Sequence, residues 1–270
     1  MSALRRAVAV ALLGLGAALT TDGPVAAQPR TGEAAAVTIP AGTHRPLFPA
    51  ASAADGVAVP AFRIDRLPVT NGDFLRFVRA NPEWSRDRIP RVMAEQGYLA
   101  QWQTAQTLGP DAEADQPVTR VSWFAARAYC AARGARLPTE AEWERAAAAS
   151  RTAADGSNDP AWRAELLAAY ARPMPARLPR VGAGMPNAFG VHDLHGLVWE
   201  WVHDFNATIA SSTNGADGLR FCGASGSSAR DATDFVAFER AALRSSLRAS
   251  FVLKNLGFRC ASSSVPGATS

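Results

Sequence analysis

An α+β fold rich in irregular chain is the class this sequence predicts, and three kinds of observation agree with it. Strand patterns are short, helix signals are short and individually capped, and the stretches between them carry no periodicity. Val37-Thr-Ile-Pro-Ala-Gly-Thr43 alternates and ends in a turn. Ala61-Phe62-Arg63-Ile64-Asp65 is a second strand candidate, with Phe62 and Ile64 on one face. Thr70 is an N-cap for a helix in which Phe74, Phe77 and Val78 fall at helical spacing and bury against the core. Ser122 caps a helix that runs to about Arg133 and is stopped by Gly134, while Thr139 with Glu142 forms a capping box for the next. Residues 81–115 offer no regular element; Trp84 and Trp102 within them are read as packing residues, with a surface groove as the competing role. Residues 150–180, rich in Ala and Pro with Asp155-Gly156, read as an insertion.

The chain has 270 residues, 48% hydrophobic and 19% charged, enough for one large domain or two small ones. Its formal charge of +4 comes mostly from scattered arginines, with no basic run and no alternation of basic and aromatic residues. No nucleic-acid partner is expected. Residues 1–27 read as a secretory signal peptide: Arg5 and Arg6, an apolar run of 13 residues from Ala7 to Leu19, then Val25-Ala26-Ala27 ahead of Gln28. That run falls short of the ~20 residues that cross a bilayer. The mature protein is expected to be exported, periplasmic or secreted, with no membrane span after cleavage. A flexible leader follows at 28–36, and the domain is expected over 37–264. Asn206-Ala207-Thr208 is a glycosylation sequon only in a host that modifies exported proteins.

One stretch concentrates the chemistry. Asn187-Ala-Phe-Gly-Val-His-Asp-Leu-His-Gly-Leu-Val-Trp-Glu-Trp-Val-His-Asp204 holds two tryptophans, three of the four histidines and three carboxylates in 18 residues. Asp193, Gly196, Val198 and Glu200 are spaced so that two carboxylates and two backbone carbonyls converge on one hard cation in a curled loop, which suits calcium rather than zinc. In the competing reading, Trp199 and Trp201 bury one face while Asp193, Glu200 and Asp204 cap loops or pair with arginines. His192, His195 and His203 match no zinc spacing and are expected at the surface or in packing.

The same stretch resembles the N-x-x-G-L-x-D-x-x-G-N-V-W-E-W signature of the formylglycine-generating enzyme family, also called sulfatase-modifying factors. Three further matches occur in the family's order. They are Ile64-Asp65-Arg66-Leu67-Pro68-Val69-Thr70-Asn71; Val121-Ser122-Trp123 through Ala128-Tyr129-Cys130 to Arg136-Leu137-Pro138-Thr139-Glu140-Ala141-Glu142-Trp143-Glu144; and Asn255-Leu256-Gly257-Phe258-Arg259-Cys260-Ala261. The resemblance implies the formylglycine-generating-enzyme fold, an α+β relative of C-type lectins, which the caps and short strands merely accompany.

It also implies site residues. Calcium is expected on Asp193, Gly196, Val198 and Glu200, with Asp193 replacing the family's usual Asn; the ligands of a first calcium site are not found. Of three cysteines, Cys130 and Cys260 match a family disulfide, which leaves Cys222 free. In the oxygen-dependent members, two cysteines five residues apart bind copper(I), a soft ion suited to two thiolates. Counting back from Gly257-Phe258-Arg259-Cys260, those positions fall on Asp231 and Val236, neither of which supplies a thiolate. Arg240, Ala242 and Arg244 still match around them. Copper is therefore not expected, and the groove that reads an extended peptide is expected to be kept by Trp199, Trp201, Arg240 and Arg244.

There is no Gly-x-Ser-x-Gly elbow, no phosphate loop and no His-x-x-x-His-x-Glu triad. Two functions stand against each other. In one, the protein is a non-oxidising exported accessory factor that binds or helps mature an exported client protein or peptide, similar to degenerate family members found beside copper nitrite reductases. In the other, it is an active formylglycine-generating oxidase, or another metal-dependent oxidase using Cys222.

Overall fold

The computed structural model describes residues 35–47, 56–206 and 234–263. Alternation at the start of the domain gives β1 (Ala36–Ile39), and Pro40 and Ala41 break the run before β2 (Gly42–His44). The single strand expected over 37–43 is thus two strands in two sheets, because Pro40 has no N–H to continue a ladder. Strand β3 (Val57–Val59) pairs antiparallel with β2. Strand β4 (Phe62–Asp65) lies between β1 and the last strand, β7 (Ala261–Ser263), both antiparallel to it, with Ile64 opposite Val37 and Ala261. Phe62 and Ile64 are buried on one face, as the alternation requires.

Each early helix starts where its cap stands. Helix α1 (Asn71–Ala80) opens with a capping box in which Thr70 and Asp73 exchange hydrogen bonds. Helix α2 (Trp123–Ala132) opens on Ser122 and ends before Gly134, whose φ of 69° terminates the helix. Helix α3 (Glu140–Ala147) carries the Thr139/Glu142 capping box. Caps of this kind contribute about 1 kcal/mol each, and helices of eight to ten residues persist only because their apolar faces are packed. Helix α4 (Pro160–Tyr170) occupies the expected insertion, with Asp159 as N-cap and Pro160 in the first turn. A parallel two-residue pair, β5 (Trp199–Glu200) and β6 (Leu256–Gly257), ties the motif-rich stretch to the chain end. Helix α5 (Phe235–Ser246) precedes β6. No helix among the described residues is long and apolar enough to cross a membrane.

The core is aromatic at its centre. Phe74 lies 5.7 Å from Tyr129 and 6.0 Å from Phe258 between ring centroids, and Trp102 packs edge-on at 6.2 Å. Trp102 is 2% exposed and donates its indole N–H to Asn71, so it is a core residue and lines no groove; Trp84 packs half-buried on Phe77. Gly257 is fixed by close approach, since a Cβ there would come within 2.6 Å of the Val118 carbonyl oxygen.

Cys130 of α2 and Cys260, just before β7, form a disulfide with Cα atoms 5.6 Å apart. Asp65 accepts the Cys260 N–H at 3.1 Å and a two-pronged pair from Arg133. The bridge closes a loop over a sequence separation of 130 residues, a constraint worth roughly 3–5 kcal/mol through the unfolded state. Cys130→Ala is accordingly expected to lower the urea-unfolding free energy by several kcal/mol, and Cys222→Ala by less than 1 kcal/mol; equal losses would mean that the bridge adds nothing.

Candidate functional site

The loop of residues 187–198 is shaped by local bonds before any ligand is considered. The Asn187 side chain accepts the Phe189 and Val191 N–H groups and donates to the Ala146 carbonyl, which fastens the loop to α3. Asp193 sits at φ 59° and Gly196 at φ 81°, both left-handed, and these two positions curl the segment. One Asp193 carboxylate oxygen accepts the Gly182 N–H.

Glu200 has another partner. Its two oxygens receive Arg259 Nε and Nη2 at 2.8 and 2.7 Å, and Trp143 Nε1 at 2.8 Å; both charged side chains are wholly buried. Asp193 and the Gly196 and Val198 carbonyls lie on the curled loop, where oxygen donors suit a hard ion. Glu200 Oε1 accepts one of the three bonds to its carboxylate, which thus keeps a lone pair beside its pairing with Arg259.

Trp143 separates this pair from a second charged cluster. Its other neighbours are the guanidiniums of Arg244 and Arg240, 5.1 and 5.8 Å from the ring centroid. Arg240 makes a two-pronged pair with Glu144 at 2.8 Å, and Arg244 bonds Glu144 at 2.5 Å and Glu140 at 3.1 Å. The spacing explains the geometry: Glu140 and Glu144 are four apart on α3, Arg240 and Arg244 four apart on α5, so both pairs face each other. Burial penalises the Glu144 charge, yet the two guanidiniums outweigh it and hold the carboxyl well below the usual range. Glu140 goes the other way: burial raises it, Arg244 offsets part of the rise, and Glu144 and Asp204 add to it.

His195 completes the floor. Its ring lies edge-on near Trp143 and Trp162 at 6.1 Å, and Tyr170 is 6.0 Å away. Nε2 lies 2.9 Å from the Ala147 carbonyl oxygen, so it carries the proton, and Nδ1 accepts from the Tyr170 hydroxyl at 3.2 Å. Burial, then the Arg240 charge, push its pKa down to about 4, which keeps the ring neutral. Of the other two histidines, His192 bonds the Gly184 carbonyl and His203 packs near Trp123.

Above this floor lies a cleft of about 730 Å³. Its walls are the β2–β3 hairpin, α3, α4 and α5, with Glu140, Glu144, Arg240 and Arg244 in the lining. Val236 is in the α5 wall and is buried. Of the groove residues expected from sequence, Arg240 and Arg244 are in this cleft and Trp199 is half-buried beside Tyr170 at 5.3 Å. Trp201 corrects the expectation: it is fully buried, donates to the Val121 carbonyl and stacks edge-on with Phe205, so it belongs to the core. Cys222 and Asp231 lie outside the described residues. Sequence reasoning missed Glu144, Trp143, Tyr170 and Arg259 as site-building residues; the matched four-residue spacing of the glutamates and arginines was the available signal.

Small paired strands, an aromatic core and a long irregular chain pinned by buried guanidinium–carboxylate pairs define a mixed α/β domain that carries its site on loops and helix faces. The chain belongs to the sulfatase-modifying factor enzyme 1-like domain family, whose model matches residues 21–264. It is 33% identical over 248 residues to the inactive C-alpha-formylglycine-generating enzyme 2 of Mus musculus, covering 77% of each chain. Against the formylglycine-generating enzyme of Mus musculus the identity is 28% over 265 residues, covering 78% of this chain and 68% of that one. Hercynine oxygenase of Mycobacterium tuberculosis is 36% identical over 165 residues, 54% of this chain and 38% of the relative. The chain thus spans about two fifths of the length of the hercynine oxygenases it matches. Among solved structures, CarF aligns with a TM-score of 0.45 at 17% identity, covering 85% of this chain and 98% of that one.

The two glutamates of α3 are expected to respond oppositely to neutralisation. Glu144→Gln leaves two buried guanidiniums short of a counter-charge and is expected to cost about 3 kcal/mol or more. A raised folded-state pKa at Glu140 means that its charge opposes folding at neutral pH and that its contribution improves as pH falls. Glu140→Gln is expected to cost less than 1 kcal/mol at pH 7. Denaturant titrations of both variants decide this, and an equal loss would contradict the assignment.

Proposed function

We propose that this domain is a non-oxidising member of its family that holds an exported client protein or peptide in the cleft between α3, α4 and α5. The observation that carries the reading is Val236. It stands in the cleft wall at a position where the family resemblance places a copper thiolate, and an aliphatic side chain offers copper(I) no electron pair. The other copper position is Asp231, a hard donor. Similarity to a relative named inactive supports the same reading. The cleft with its paired charges persists around Val236, as a binding function without oxidation would require. A role as accessory factor to a copper nitrite reductase-type client follows from the resemblance.

Export, to a periplasm or beyond the cell, is part of the proposal. Its support is the Arg5-Arg6 and apolar leader together with a disulfide, a bond that persists in oxidising compartments. A structural calcium ion is also part of it, with Asp193, the Gly196 and Val198 carbonyls and Glu200 as its donors. Such an ion would brace the loop that β5 continues; it carries no step of binding in the cleft.

The deciding experiment is metal analysis of the mature protein expressed in a periplasm, combined with an oxygen-dependent assay on a cysteine-containing peptide. Expected are no copper in proportion to protein and no peptide aldehyde; stoichiometric copper or aldehyde would instead establish the oxidase. Affinity capture from the same compartment is expected to retain a client with the parent chain and lose it with Val236→Arg. For calcium, a chelator is expected to lower the melting temperature of the parent and leave that of Asp193→Ala unchanged; a parent indifferent to chelator removes the ion from the proposal.

A further inference from the structure

The four walls of the cleft are not held equally. The β2–β3 hairpin is a hydrogen-bonded sheet, α3 is fixed to the core by Trp143 and Ala146, and α5 is clamped to α3 by the paired ions of Arg240 and Arg244. Helix α4 differs. None of its residues is fully buried, and among the described residues its backbone makes no hydrogen bond outside its own helix. At 11 residues it is too short to be helical in isolation, so its order depends on docking.

Two aromatic side chains of α4 meet at one ring. Trp162 and Tyr170, at opposite ends of α4, both pack on His195, and the Tyr170 hydroxyl donates to its Nδ1. Ala169 rests against Gly196, where an added Cβ would approach its methyl to 3.3 Å. Tyr170 also packs on Trp199 at 5.3 Å and hydrogen-bonds Arg240 of α5, while the exposed Arg151–Glu165 ion pair is of the kind that contributes little. Trp162, Leu166 and Leu167 meanwhile line the cleft.

We propose that α4 is a movable wall of the cleft, folded and docked as one unit through a latch formed by its Trp162 and Tyr170 side chains, so that releasing the latch opens the cleft while the rest of the domain stays folded. Segments with few buried contacts open at lower free energy than the core they lie on. The inference rests on packing alone and holds whether or not the cleft binds the proposed client.

Hydrogen–deuterium exchange on the full mature chain tests it. In the parent, amides of residues 160–170 are expected to exchange at least about tenfold faster than those of α3. Tyr170→Phe removes the hydroxyl's bonds to His195 and Arg240 and is expected to speed exchange in α4 by roughly a further fivefold, with α3 unchanged. In a Cys222→Ser background, a cysteine placed at Ala147, behind the latch, is expected to react with a maleimide faster when Tyr170→Phe is also present. Exchange of α4 at the α3 rate in the parent would overturn the proposal, and that comparison needs no variant. So would a Tyr170→Phe protein in which all helices speed up together, since the hydroxyl would then support the whole domain.

Discussion

The buried pair of Arg259 and Glu200 is the constraint on which this structure depends. A guanidinium has five N–H donors, and here all find acceptors: Glu200 takes two, His192 one, and the Asp65 and Arg66 carbonyls two. One side chain therefore fixes the end of β4, the motif-rich loop, β5 and the segment after β6. A pair of this kind adds little net stability, because desolvating both ions offsets their attraction. Its effect is specificity: any arrangement that separates the two leaves a bare charge in the core. Irregular chain, which has no ladder of its own to define it, is given a single conformation by that penalty.

Trp143 passes the constraint on to the cleft. Its indole N–H reaches Glu200, and its face supports Arg240 and Arg244, which in turn hold Glu144. Two buried ion clusters thus share one aromatic spacer, and the cleft floor inherits its geometry from the core pair. The polar lining is charged but internally matched, so the cleft presents shape and fixed donors rather than a net field. It places no free thiolate among the described residues of the wall.

Much of the fold was legible because its signals are local. Thr70, Ser122 and Thr139 set helix starts within one turn, and Phe62 with Ile64 set a strand face; each acts on its own neighbours. The disulfide, by contrast, came from the family resemblance, and the structure bears it out. Trp102 takes the packing role, whereas Trp201 was misread as a groove residue because aromatic content does not reveal which side of a chain faces inward. Helix α4 was passed over because alanine and proline around Asp159 suggested an insertion, although the Asp159 cap and Pro160 were already a helix start.

By itself the sequence determined where helices begin, which strand faces are apolar and that three cysteines leave one over; the family resemblance added that valine stands where oxidising members are expected to carry a thiolate. Only the tertiary structure decided which charges meet. Glu200 and Arg259 are 59 residues apart, and Glu144 and Arg240 are 96 apart. The physical reason is that cap and propensity energies act over one turn, whereas the partner of a buried ion is chosen by the cost of leaving it unpaired once the chain has closed around it.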